Sequence, residues 1–418
     1  MPLNGRYRIL SLDGGGSWAL IEAMALLDLY GNVPGHQVLN RFDLVAANSG
    51  GSIVAAALAA NYTLQQIVDL FASPATNVRG QLFVPLPLLD QPERIFGLGP
   101  KYSTVAKLTG LQTLLGNGPV PLPATPLAAV PGAITPPPPA LAGLAITGPT
   151  HFIIPSFDYD AGRARFFRSN ATSPAANFSA ADVTTTLACA VHASSDAPVN
   201  YFDLPAAFGG GQFWDGAVAG YNNPVLAGVL EILALGVARN QIDVLSIGTA
   251  NVALPPGVAG NALMQPPRTP GWPRLLTDIG VMSSSILDDP PDVATFHAHF
   301  ALTQSVPAGV ATPVQDGPVV RLNPLIRPVF DATNTWVAPA LNPAGAAQSL
   351  ADFKALAALG MDATQQSDVN LIVELATAWI AGTVRNQPIR WRTTEDVGCE
   401  IGFDNYPAAR ALTLTRFR

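Results

Sequence analysis

Charge is scarce in this chain. Asp, Glu, Lys and Arg together make up 12% of its 418 residues, roughly half the share usual for soluble domains. The net charge is −7 and no basic stripe is visible, which argues against a nucleic-acid binder. Cysteine is almost missing: Cys189 and Cys399 cannot build a disulfide framework. Five histidines with neither C-x-x-C nor H-E-x-x-H leave no familiar metal pattern. The calcium loop D-x-[DN]-x-[DN]-G is absent as well. No metal and no cofactor is therefore expected. The start, Met1 to Arg8, has no apolar signal core, and no uncharged run free of Pro and Gly reaches the length of a spanning helix. The default expectation is a soluble, cytoplasmic protein.

Hydrophobic residues make up 49% of the chain, with Ala and Pro abundant throughout. Within that background one stretch stands out. Leu44 to Ala47 reads as a buried strand, Ser49 follows between Asn48 and the pair Gly50-Gly51, and small helical residues come next. A strand turning sharply into a helix with serine at the corner is the geometry of a nucleophile elbow. The usual spelling is G-x-S-x-G; here Ala47 stands for the first glycine. Unpaired N–H groups and the positive helix end would sit beside the hydroxyl, where an oxyanion needs stabilising.

A second special loop precedes it. Tyr7 to Leu12 reads as a strand, Asp13-Gly14-Gly15-Gly16 follows, and Ala19 to Leu29 reads as a helix. Neither phosphate-binding glycine pattern is present and no Lys follows, so an oxyanion hole is the better reading than a phosphate cradle. Strand, loop, helix, strand, elbow, helix makes a βαβα unit with a parallel sheet. Both loops then lie at the carboxyl ends of strands, where open α/β sheets bind ligands.

Further along, Asn61–Ala72 and Thr104–Leu115 read as helices. Residues 108–157 carry no Asp, Glu, Lys or Arg, and their middle, 116–150, is rich in Pro, Ala and Gly. Proline fixes φ and removes a donor, so this insertion is expected to be neither helix nor central strand. An inert surface excursion is favoured over a lid at the site. His151–Asp160 and Arg165–Arg168 read as a hairpin, Thr184–Ala193 as a helix, and Phe213-Trp214-Asp215-Gly216 as a short aromatic strand ending in an acid before a glycine turn. Helices are expected at Val225–Leu235, Gly271–Leu287, Leu350–Leu359 and Asp368–Thr383. Strands are expected at Ile242–Thr249 and Val319–Leu322, with strand-like pieces in an Arg-rich tail after 385. The preferred parse is one large α/β domain, 1–385, with 386–418 as an extension packed on it.

Taken together, Asp13-Gly14-Gly15-Gly16, the Ser49 elbow, Ala193-Ser194-Ser195-Asp196-Ala197-Pro198, and Asp215-Gly216-Ala217 with Asn222-Asn223-Pro224 resemble the patatin-like phospholipases. Leu245-Ser246-Ile247-Gly248-Thr249 is a weaker fifth match. The resemblance implies a three-layer α/β/α fold with a mainly parallel central sheet. It implies a lipid acyl hydrolase in which Ser49 is the nucleophile and Asp215 its one side-chain partner. The oxyanion hole would come from Gly14, Gly15 and Gly16, with Gly50 as a further donor. It implies a lipid or fatty-acyl ester as substrate, transient contact with a membrane surface, no calcium, and no nucleic acid. Two features depart from the family: Ser17-Trp18 replaces the usual residue and basic residue after the glycines, and Ala47 replaces the elbow's first glycine.

Two other readings stay open on the sequence. A Ser-His-Asp hydrolase could draw on His297 or His299 after Asp215 or Asp243. A weakly catalytic protein could use the same crevice to bind acyl chains.

Overall fold

The strands owe their positions to two apolar faces. In β1 (Tyr7–Leu12), Leu10 and Leu12 join one core cluster while Ile9 joins another. In β2 (Leu44–Ala47), Val45 and Ala47 take the first side, Leu44 and Ala46 the second. Alternation with both faces apolar is what a sheet covered on both sides requires, and it explains why these segments read as unbroken apolar runs.

The computed structural model describes residues 5–74, 78–87, 99–136, 149–170, 184–199, 201–252, 290–305, 315–326, 329–330, 336–337, 352, 355–356, 358–392 and 397–417. Within them, β3 (His151–Asp158), β4 (Arg163–Arg168), β5 (Ala206–Phe208), β6 (Gly211–Asp215) and β7 (Ile242–Ile247) join β1 and β2 in the main sheet. A short pair, β8 (Asn251–Val252) with β10 (Leu325–Ile326), lies outside it, and β9 (Val319–Leu322) completes the main sheet. The order is β5-β6-β3-β2-β1-β7-β9, with β4 paired to β3. The pairs β3–β2, β2–β1, β1–β7 and β7–β9 are parallel. At one edge β4 and β6 run antiparallel to β3, and β5 antiparallel to β6.

Helices Leu20–Tyr30, Ser49–Ala59, Leu64–Ala72, Leu187–Ser194 and Gln366–Ile380 contribute to the larger cluster on one face. Helices Val225–Ala234 and Pro290–Thr303 contribute to the other. The result is a three-layer α/β/α arrangement with a mostly parallel sheet. Register sets the site. Ala46 lies opposite Ile153, and Ser156 opposite Asp215, so the antiparallel β6 returns its acid to the level at which β2 ends.

Several segments differ from expectation. The helix expected from Asn61 begins at Leu64, because Asn61 is left-handed (φ 64°) and Thr63 with Gln66 forms a capping box. The favoured view of the Pro/Ala-rich insertion as an inert excursion does not hold for its described part. Leu122, Leu127 and Val130 are buried in the core, and Val130–Ala133 forms one helical turn. Its remainder, 137–148, lies outside the described residues, as do Gly271–Leu287 and much of Leu350–Leu359. The tail contains a hairpin, Ile389–Arg392 with Val397–Ile401, and then a helix, Tyr406–Phe417, where strand-like pieces alone were expected. Phe417 stacks on Phe42 at 5.6 Å between ring centres, and Tyr406 meets Trp379 edge-on at 4.4 Å.

Candidate active site

Ser49 opens the helix Ser49–Ala59, all of whose residues are buried. Its φ is 47°, a left-handed conformation that costs a non-glycine residue about 1–3 kcal/mol. The surrounding contacts hold it there. Ser49 N–H donates to Ser194 Oγ (3.0 Å), and Ser52 Oγ donates back to the Ser49 carbonyl (2.6 Å). Such close packing requires small neighbours. A Cβ on Gly51 would sit 2.6 Å from Asp13 O and 2.7 Å from Leu12 O.

Asp215 ends β6 and is 3% exposed. Its Oδ1 accepts from Ala217 N–H (2.9 Å) and from Asn48 Nδ2 (3.1 Å). Burial raises the Asp215 pKa above the ordinary carboxylate value; the Ala217 amide, the nearby Ser49 hydroxyl, Asn48 and the charge of Lys107 pull the other way. Phe213 packs on Phe167 and Phe208, and Trp214 on the Tyr102–Phe202 cluster. The desolvation of Asp215 therefore draws on the whole strand junction and not only on its aromatic neighbours in sequence.

Asn48 connects these parts. While Nδ2 holds Asp215, Oδ1 accepts from Ser194 Oγ (3.0 Å), the same hydroxyl that receives the Ser49 amide. The chain Asp215–Asn48–Ser194–Ser49 thus links the acid to the elbow backbone. Gly216 has no room for a side chain, since a Cβ would lie against Asn48 Oδ1 and 2.8 Å from Pro155 O.

The glycine loop packs against the elbow backbone. A Cβ on Gly50 would lie 2.5 Å from Gly16 O and 2.9 Å from Gly16 N, and one on Gly14 would lie 3.0 Å from Ser49 Cβ. Of the expected donors, Gly14 is already engaged: its N–H donates to the Asn222 carbonyl at 2.7 Å. That removes Gly14 from the set able to face an oxyanion. Among the described residues, the amides of Gly15, Gly16 and Gly50 have no such acceptor. The loop is braced from behind by Asp13, whose carboxylate takes a bidentate pair from Arg321 (2.6 and 3.0 Å). It is braced from the front by a peptide late in the chain. Ser17 N–H donates to Met361 O (2.7 Å), Ser17 Oγ to Asp362 O (2.7 Å), and Trp18 Nε1 to Gly360 O (3.3 Å). Trp18 is thereby turned into the core, not toward the loop amides.

Ser49, Gly16 and Gly50 line a cleft with Ile53, Leu82, Phe83, Lys107, Ser195, Phe202 and Met361. The cleft encloses about 20 Å³, room for about one water. Met361 is the flexible, unbranched member of that wall. The histidine triad finds no support here. His297 and His299 lie on Pro290–Thr303, which packs against Val225–Ala234 on the other face of the sheet. Asp243 is ion-paired with Arg6 at the opposite, amino end of β7. Sequence reasoning missed Asn48, Lys107, Arg321 and Met361. Only Asn48 carried a local signal, as the residue inside the elbow motif.

A sequence profile of the Patatin family, described as patatin-like phospholipase, matches residues 10–229, more than half of the chain. A curated relative from Pseudomonas aeruginosa (strain BWHPSA011 / Pa011), a cGAMP-activated phospholipase, is 27% identical over 249 residues, 59% of this chain and 63% of its own. The chain thus spans under two-thirds of that relative's length. The crystal structure of VipD from Legionella pneumophila aligns over 90% of this chain and 67% of its own, with 11% identity and a TM-score of 0.34.

Proposed function

Because this chain belongs to the patatin-like phospholipase family, we propose that it is a lipid acyl hydrolase working through Ser49 and Asp215. The observation that carries the proposal is the buried Asp215 carboxylate, bonded at 3.1 Å by Asn48, the residue directly before the elbow serine. A serine hydroxyl attacks only when a base within reach takes its proton. A desolvated carboxylate has the basicity for that step.

Asp215 takes the proton from Ser49 Oγ as that oxygen bonds to the ester carbonyl carbon. The amides of Gly15, Gly16 and Gly50 receive the oxyanion. Collapse breaks the bond to the alcohol, which leaves with the proton from Asp215, and an acyl-Ser49 ester remains. Water then gives its proton to Asp215 and attacks the acyl carbon. The fatty acid departs, and Ser49 regains its proton from Asp215.

An acyl chain would lie along Ile53, Leu82, Phe83 and Phe202, with Met361 displaced to widen the cleft. The relative's description as a phospholipase favours phospholipid esters as the substrate class. A lipid surface would present them. Val105, Val199 and Leu204 are exposed beside the Tyr102–Phe202 cluster, and Thr104 Oγ1 donates to the Leu204 carbonyl (2.6 Å), placing Val105 and Leu204 together. Val105→Asp with Leu204→Asp should lower hydrolysis of phospholipid vesicles about tenfold and leave a water-soluble ester within about twofold.

The direct test uses a medium-chain p-nitrophenyl ester and a fluorophosphonate probe. The protein should hydrolyse the one and be labelled by the other at Ser49. A Ser49→Ala variant that keeps the wild-type rate would sink the assignment. Retained fatty acid with no turnover of any ester would favour acyl-chain binding instead.

A further inference from the structure

A buried ammonium lies where the reaction above gives it no task. Lys107, on the helix Thr104–Asn117, has a side chain only 2% exposed. Its Nζ donates to Asp196 Oδ1 (2.6 Å) and to the His192 carbonyl (3.1 Å), and stands 4.1 Å from the centre of the Phe202 ring. It lines the Ser49 cleft together with Gly50 and Ser195. Burying an ammonium and a carboxylate has a desolvation penalty that an apolar pair of similar volume avoids. A buried ion pair at this spot therefore calls for a reason beyond packing.

The position supplies one. Asp215 N–H donates to the Asp196 carbonyl (2.9 Å), so the base and the lysine's counter-ion are joined through backbone. The groups bonded to Asp215 Oδ1 are neutral: Asn48 Nδ2 and the Ala217 amide. The charge of Lys107 acts on it. Asp196 is bonded by Lys107, and the charges of Asp215 and Asp203 also act on it. His192, on the adjoining helix, is kept neutral by burial and by Lys107 itself.

We propose that Lys107 is a positioning residue for hydrolysis: its ammonium supplies the positive charge that keeps Asp215 an ionised base beside Ser49, and Asp196 is the counter-ion that anchors it. This rests on the reading of Ser49 and Asp215 as nucleophile and base. Two buried carboxylates at one junction without a cation would leave one of them protonated at neutral pH. In line with this, burial pulls Asp196 up to about 6 even with Lys107 bound to it. Burial lowers Lys107 in turn, and Asp196 and Asp215 draw it back toward the charged form.

The test exploits sign. Lys107→Met and Asp196→Asn break the same ion pair but change the charge near Asp215 in opposite directions. With p-nitrophenyl butyrate, the acid limb of kcat/KM should move up by about one pH unit or more in Lys107→Met. It should stay or move down in Asp196→Asn, and Lys107→Arg should return it toward wild type. Lys107→Gln keeps a donor to Asp196 and serves if the Met variant does not fold; the same upward shift is expected. Equal loss of rate in Lys107→Met and Asp196→Asn, with the limb unmoved in both, would reduce the pair to a structural brace and overturn the proposal. So would an unmoved limb in Lys107→Gln. A wild-type protein that neither hydrolyses the ester nor takes the fluorophosphonate would instead defeat the reading of the site itself.

Discussion

Asp13 and Asp215 are both buried aspartates at strand ends, and both have their pKa lifted by burial, Asp13 to about 6. What surrounds them differs. Asp13 is gripped through both oxygens by Arg321, which Ser246 Oγ steadies in turn at 2.8 Å. A permanent cation in bidentate contact makes a strut. Asp215 is held on Oδ1 by neutral donors, the Ala217 amide and Asn48 Nδ2. Neutral donors fix the carboxylate and leave it free to take a proton. Burial alone therefore does not mark a base; the identity of the bonded partners does.

Substitutions can break that contrast. The largest effect is expected from Asp215→Asn, which keeps the shape and removes the base. The rate on a soluble ester should fall by about 10⁴-fold, with thermal unfolding near wild type. Arg321→Met should do the reverse in kind, leaving Asp13 buried and unpaired at a cost of about 3–5 kcal/mol, visible as a lower denaturation midpoint. If Asp215→Asn proves mainly destabilising, or Arg321→Met leaves stability unchanged, the distinction between base and strut fails.

Asn48→Ala should have an intermediate effect. It removes one donor from Asp215 and one acceptor from Ser194, so kcat/KM should drop about 10–100-fold and the acid limb should move to higher pH. In the wild type that limb should already lie above the ordinary carboxylate range, because protonating Asp215 removes the base and burial favours protonation. The smallest expected effect is at Glu22, fully buried behind the glycine loop with neither carboxylate oxygen bonded. Burial first, and then the charge of Asp13, raise its pKa well above the usual glutamate value. The folded state thus keeps a proton that the unfolded chain releases as pH rises past the ordinary value, so this group's contribution to stability declines with rising pH. Glu22→Gln should match wild type near pH 4 and unfold about 2–6 °C higher near pH 8.

Much of this was legible in the sequence where the physics is local. Apolar runs at 7–12 and 44–47, and turns that only Gly14–Gly16 and Gly50-Gly51 allow, fixed the βαβα unit and the elbow. Asp215 was visible as an acid at a strand end. What was not legible depends on contacts between distant segments. Nothing near Gly14 says that its amide meets Asn222. Lys107 looked like one helical residue among several, since its burial is set by Asp196 and Phe202. The Pro/Ala-rich insertion misled because composition does not distinguish an exposed loop from one that tucks Leu122, Leu127 and Val130 into the core.

The clasp of Gly360, Met361 and Asp362 on Ser17 and Trp18 also bears on the order of synthesis. A nascent chain that has reached the end of β7 already carries Ser49, Asp215 and every glycine of the loop. The peptide that secures the loop has yet to be translated. A fragment confined to the family-matching region, residues 10–229, would carry the elbow and Asp215 without that clasp.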